Sequence, residues 1–194
     1  KLTAKHVVGA FGKRSKIDKS LSRSFIHKRT NYIGVKYHLK GDFEKNLIAL
    51  HNYDGGYCGI NPIENDQFCL CYLGNKQQLR DFGSISAMEQ NILHKNAFIK
   101  SIFEKGEFLF AKPEVINEIS FSKKMPVENH LLMIGDAAGM ITPLCGNGMA
   151  IALHTGKLAA EALLKNKYRA AIENYYARNW SRLFKNRLAL GRII

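Results

Sequence analysis

The sequence predicts an α+β fold, in which two separated parts of an incomplete α/β layer bracket an inserted, mostly antiparallel sheet and helices close the carboxyl end. Three observations predict it. A short β-branched run, His6-Val-Val, stops at Gly9 and Gly12. Alternating apolar runs separated by turn residues occupy residues 24–73. A continuous apolar run, Leu131-Leu-Met-Ile134, then ends at Gly135-Asp136 ahead of a long apolar helix. Continuous apolar strands suit sheets covered on both faces, and alternating strands suit sheets with one face on a core. The boundaries that follow are 1–20 and 126–165 for the bracketing layer, 21–125 for the inserted sheet with its helix, and 166–194 for a carboxyl-terminal helical region.

Within the insertion, residues 32–39, 47–53, 56–61 and 67–73 read as strands. Lys40-Gly-Asp, Asp54-Gly-Gly and Glu64-Asn-Asp supply the turns of an antiparallel meander. The period then changes: Met88, Ile92, Leu93, Ile99, Ile102 and Phe103 recur three or four apart, predicting one or two helices over 86–103 with Ser86 ahead of Glu89 as the cap. Residues 113–122 alternate and return as a strand. From 168 to about 187 a helix carries Ile172, Tyr175, Tyr176, Trp180, Leu183 and Phe184. Such aromatics more often pack in a core or interface than face a substrate.

With 194 residues, 46% of them hydrophobic, the chain can bury a core. No run of roughly eighteen apolar residues occurs, and the opening lacks the pattern of a signal peptide. A cytoplasmic setting is expected, and Lys1 is not taken as the biological start. Cys58, Cys69, Cys71 and Cys145 include no Cys-x-x-Cys pair. Cys69 and Cys71 share a strand face without a third ligand at usable spacing, so no metal site is expected. The net charge of +13 would suit an anionic partner. Its dispersal along the chain and the lack of a nucleic-acid-binding motif argue against nucleic acid, while proximity to a membrane surface stays open.

The chemistry concentrates at Gly135-Asp-Ala-Ala-Gly-Met-Ile-Thr-Pro-Leu-Cys-Gly-Asn-Gly-Met149. At the carboxyl end of a buried strand, where α/β sheets bind ligands, Gly135 lets a ligand approach the backbone. Asp136 there offers a carboxylate to sugar or polyol hydroxyls. Gly146-Asn-Gly148 opens a helix running to about residue 164, whose amino terminus favours negative charge, and Pro143 stiffens the approach. The plainer alternative makes the glycines helix caps and Asp136 a turn residue.

These residues resemble those of the FAD-dependent oxidoreductases that include aromatic-ring hydroxylases, flavin halogenases and geranylgeranyl reductases. Val7-Val-Gly-Ala-Phe-Gly-Lys-Arg-Ser15 is similar to that group's Gly-Ala-Asp-Gly-x-x-Ser turn, with Phe11 in place of the aspartate. Gly56-Tyr-Cys-Gly-Ile-Asn-Pro62 is similar to its Gly-Tyr-x-Trp-x-Phe-Pro hairpin, with Gly59 and Asn61 replacing larger side chains. The resemblance implies that FAD is the cofactor and that Gly135, Asp136, Pro143, Gly146, Asn147, Gly148 and Met149 bind it. Asp136 would hold the ribityl chain, Pro143 would lie against the flavin, and the 146–148 backbone would face its N1–C2 edge.

Gly139, where hydroxylases and halogenases often carry histidine, makes the segment look more like the geranylgeranyl reductase branch. The function implied is reduction of carbon–carbon double bonds in an isoprenoid-like or other lipid-like substrate; hydroxylation of an aromatic substrate is the alternative. Reduced nicotinamide or another donor would supply electrons. Cys145 and Tyr57 are the candidate catalytic residues: Cys145 as proton donor or pocket lining, Tyr57 as substrate contact or sheet packing. The resemblance lacks the group's opening Gly-x-Gly-x-x-Gly. The chain is therefore expected to be a carboxyl-terminal part of a larger flavoprotein, to hold FAD poorly alone, and to self-associate through uncovered apolar surface. A non-catalytic basic binding or scaffold module is the reading of a different class.

Overall fold

The computed structural model describes residues 3–28, 31–143 and 146–191. The chain divides into two compact units, residues 1–28 with 120–194, and residues 29–119.

The first unit holds a three-stranded sheet. Strand β1 (Val7–Gly9) runs parallel to β9 (Leu131–Met133), and the short β8 (Val127–Glu128) pairs antiparallel on the far side of β9. The strand ahead of Gly12 and the strand ahead of Gly135 thus lie side by side in one sheet. Gly9 is required by that closeness, since a Cβ there would sit 2.7 Å from the Met133 sulfur and from the Phe11 ring. After β1 the chain enters helix α1 (Lys16–Ser20) through a capping box: Ser15 Oγ accepts the Ile17 N–H, and the Asp18 carboxylate accepts the Ser15 N–H.

Two long helices complete this unit, α5 (Gly148–Lys165) and α6 (Arg169–Leu190). Ile172, Tyr176, Trp180, Phe184 and Leu188 recur every four residues on α6 and are buried with Leu132, Met133, Ile151, Leu158 and Ala162. The Tyr176 hydroxyl also donates to the Met133 carbonyl. The α6 aromatics are therefore core, and the carboxyl-terminal helix packs into this unit because its apolar stripe has no other core to join. Strand β9 is covered by the unit's own helices. The apolar surface left open lies elsewhere: on α5, Met149, Leu153 and Leu164 are 81%, 78% and 87% exposed, and Val7 and Val8 of β1 are also exposed.

The second unit is a six-stranded sheet. Strands β2 (Tyr32–Lys40), β3 (Ala49–Tyr53), β4 (Gly56–Ile63), β5 (Gln67–Asn75), β6 (Glu107–Phe108) and β7 (Glu114–Ile119) take the order β3-β4-β5-β2-β6, with β7 also on β2. The arrangement departs from the expected meander at one point, because β2 pairs with β5 and leaves β3 at the edge. The register explains this: Val35 faces Tyr72, Tyr37 faces Leu70 and Leu39 faces Phe68, which aligns the apolar faces of the two longest strands.

Helices α2 (Lys76–Phe82), α3 (Ile85–Asn91) and α4 (Ala97–Lys105) cover that face. The cap of α3 is Ser84, whose hydroxyl accepts the Ala87 N–H, and not Ser86, which lies inside the helix. Helix α2 escaped the pattern because Lys-Gln-Gln-Leu-Arg-Asp-Phe carries too few apolar residues to show a period. Its punctuation was present, with Asn75 as cap and Gly83 as the left-handed stop. Among the described residues no helix is long and apolar enough to cross a membrane.

Candidate functional site

Strand β9 delivers the chain into a single 3-10 turn, Gly135–Ala137. Gly135 has φ +57°, and a Cβ there would lie 3.2 Å from the Ala152 side chain, so glycine serves both the left-handed backbone and the close approach to α5. Its N–H donates to Thr155 Oγ1 at 2.8 Å, and that fully buried hydroxyl donates to the Ile151 carbonyl at 2.8 Å. The Gly-Asp turn is thereby stapled to the third turn of α5. Asp136 is half-buried, and burial pushes its carboxyl up while the cations of Lys124 and Lys13 oppose the rise.

Helix α5 begins without a side-chain cap: Asn147 makes no capping hydrogen bond, although its carbonyl starts the helix by accepting the Ile151 N–H. The first-turn N–H groups of such a helix have no intrahelical acceptor, and the aligned peptide dipoles add partial positive charge there. The approach is a tight turn closed by Gly146 N–H donating to the Pro143 carbonyl at 2.8 Å. Gly146 has φ +62°, and a Cβ on Gly146 or Gly148 would meet no atom within 4 Å. Pro143, Gly146, Asn147 and Met149 are exposed. The arrangement can present a carboxylate to hydroxyls and helix-end N–H donors to an electron-rich edge. The open space at Gly146 and Gly148 would admit the electron-rich edge of a flavin at the start of the helix.

Cys145 lies outside the described residues. Tyr57 belongs to the second unit, half-buried on β4; Cys58 and Ile60 point into the core, so Tyr57, Gly59 and Asn61 share the opposite sheet face. Cys69 and Cys71 share that face of β5 as free thiols, raised by burial with Lys36 opposing. Among the described residues no group of three His, Cys, Asp or Glu side chains could hold a metal.

Three site-supporting residues had no local signal in the sequence. Thr155 is one. Lys124 is the second: it is 5% exposed, and its ammonium donates to the Lys13 and Asp136 carbonyls at 2.7 Å each. Burial lowers its pKa to about 8. Arg23 is the third, buried and donating to Asp18 at 2.9 Å, Glu128 at 2.6 Å and the Ala137 carbonyl at 2.9 Å. Consecutive carbonyls of the Gly-Asp turn are thus held by two different buried cations. Lys124 sits in Ser122-Lys-Lys-Met-Pro126 beside the exposed Lys123, and only the tertiary structure separates the two.

The fold is similar to those of solved structures of a flavin-dependent halogenase, a geranylgeranyl reductase-like protein and a probable FAD-dependent monooxygenase. Digeranylgeranylglycerophospholipid reductase 1 of Methanococcoides burtonii is 25% identical over 100% of this chain and 48% of that protein. The structure of a geranylgeranyl bacteriochlorophyll reductase-like protein from Thermoplasma acidophilum superposes with a TM-score of 0.72 at 21% identity, covering 98% of this chain and 49% of that one. CmlS, a flavin-dependent halogenase, gives a TM-score of 0.74 at 18% identity over 93% of this chain and 34% of that one. The chain spans about half the length of the curated reductase it matches. No family model matches the chain.

Proposed function

We propose that this chain carries the flavin-facing turn and the substrate sheet of an FAD-dependent oxidoreductase that reduces carbon–carbon double bonds of a lipid-like small molecule. The observation that carries the reading is the Gly-Asp turn stapled by Thr155 to an uncapped α5, with open space at Gly146 and Gly148. Asp136 orients the cofactor through its hydroxyls. The N–H groups at the start of α5 stabilise negative charge as it develops on the ring, a role for which preorganised donors suffice. Bound FAD supplies hydride transfer, and the protein supplies position and electrostatics. Pro143 and Met149 bound the same space.

The sheet face bearing Tyr57, Gly59 and Asn61 receives the substrate. Cys145 adjoins Gly146 in sequence. A Cys145→Ser variant distinguishes a proton-donating thiol, whose loss lowers turnover, from a lining side chain, whose replacement does not. The free thiols Cys58, Cys69 and Cys71 suit a reducing, cytoplasmic compartment, and a reduced nicotinamide is the proposed electron source.

The test uses the complete product of the gene. Flavin absorbance of the purified protein, and its loss in Asp136→Ala with affinity falling at least about tenfold, supports the reading. A protein without flavin affinity, or one indifferent to the substitution, favours a basic scaffold. Anaerobic consumption of an isoprenoid double bond by the reduced protein supports the reductase. Product formation only with oxygen assigns an aromatic hydroxylase instead, in keeping with the monooxygenases among the structural neighbours.

A further inference from the structure

We infer that Lys124 is a positioning residue for the cofactor turn: its ammonium clasps the 10–14 turn after β1 to the Gly135–Ala137 turn after β9, holding both in the register that FAD requires. The inference rests on the FAD reading above and assigns that site a residue which touches neither hydroxyl nor ring.

Geometry carries the assignment. The Lys124 ammonium donates to the Lys13 carbonyl and to the Asp136 carbonyl, both at 2.7 Å, and lies 4.3 Å from the centroid of the Phe25 ring. Two carbonyls and one aromatic face account for its donors, leaving it with a bridging role. The segments it joins follow adjacent parallel strands. Strand pairing ends at Gly9 and Met133, and beyond it the Gly9 carbonyl accepts the Ile134 N–H at 3.0 Å. Past that bond Lys124 is a direct link between the two loops.

Arg23 provides the contrast. It is buried to the same degree but faces two carboxylates, Asp18 and Glu128, at ion-pair distance. Lys124 has no carboxylate within ion-pair distance among the described residues; Asp18 and Asp136 act on it only through longer-range attraction, opposed by Arg23. A buried cation without a paired anion is costly to keep. Structural need alone would be met more cheaply by an apolar side chain with solvated loops, so the cost points to a requirement for order at these two turns. A positive charge behind the Asp136 backbone also opposes the rise that burial gives its carboxyl, favouring the ionised form that accepts hydroxyl hydrogen bonds.

The experiment compares the wild-type complete gene product with Lys124→Met, Lys124→Arg and, as a neighbouring control, Lys123→Met. Two quantities are read: amide hydrogen exchange of the flavin-stripped protein over residues 10–14 and 135–138, and the dissociation constant for added FAD. Lys124→Met is expected to speed exchange in both segments together and to weaken FAD binding about tenfold or more. Lys124→Arg is expected to restore both, because a cavity of about 240 Å³ lined in part by Lys124 can take the larger cation. Lys123→Met should change neither. Unchanged exchange in Lys124→Met overturns the clasp. Faster exchange with unchanged FAD affinity overturns its role in cofactor positioning. If no variant, wild type included, binds FAD while exchange still responds, the clasp stands as a structural link, and the cofactor reading and the role assigned here fall together.

Discussion

Thr155 shows how one hydroxyl can decide a site. On an α-helix a threonine usually returns its hydroxyl to a carbonyl one turn back, as Thr155 does with Ile151, but here the same oxygen also accepts from Gly135. Replacing it with valine keeps the shape and leaves the Gly135 N–H buried without an acceptor. A loss of about 1–3 kcal/mol is expected, read as a lower chemical-denaturation midpoint and accompanied by weaker FAD binding. Glu89 is the matching case in the other unit. Its carboxylate, 5% exposed, accepts from the hydroxyls of Tyr37 at 2.7 Å and Tyr72 at 2.8 Å. Burial raises its pKa above the ordinary 4.5, while both phenols pull it back. The unfolded chain therefore ionises first, and the stability contributed by protonated Glu89 is complete below about pH 4.5 and is lost as pH rises through the folded value. Unfolding measured across that interval should show a declining stability that Glu89→Gln flattens.

Helix ends, more than helix middles, decided where elements begin. Ser84 and Ser86 both precede apolar residues, and the periodicity alone favoured the second because Glu89 follows it by three. In the fold Glu89 is turned inward to the two tyrosines and is not available to close a capping box, so the cap falls at Ser84. Ser84→Ala should destabilise the unit by about 1 kcal/mol, whereas Ser86→Ala, within the first turn and without a capping bond, should change thermal unfolding little. The same logic made α5 legible. Its glycine-rich start and small-residue body announced a helix opening beside the Gly-Asp turn. The contact between Gly135 and Ala152 is the packing that such small residues allow.

Across the whole molecule, the unfinished surface is the main consequence of the fold. Met149, Leu153 and Leu164 lie exposed on α5, and Val7 and Val8 lie exposed on β1. Open apolar area of this kind tends to be covered by further chain or by a second copy. Sedimentation equilibrium of the 194-residue chain is expected to show concentration-dependent association that Leu153→Glu reduces, and a monomer at all concentrations would refute it. The net charge of +13 belongs to the first unit: residues 1–28 with 120–194 carry 19 basic and 5 acidic residues, whereas residues 29–119 carry 10 and 11.

The Gly-Asp turn, the glycine-rich helix start and the antiparallel insertion were all legible from residue order, because each depends on local rules: strand period, backbone freedom at glycine and the needs of a helix end. Tyr57 could be placed on a strand but not on a face until its neighbours Cys58 and Ile60 were seen in the core. The pairing of β2 with β5 and the return of the last helix to the first unit were decided by which apolar faces could be buried together, a matter of long-range competition. Lys124, Arg23 and Thr155 became visible only in the folded chain, since what distinguishes Lys124 from Lys123 beside it is burial against carbonyls distant in sequence, and no local pattern encodes that.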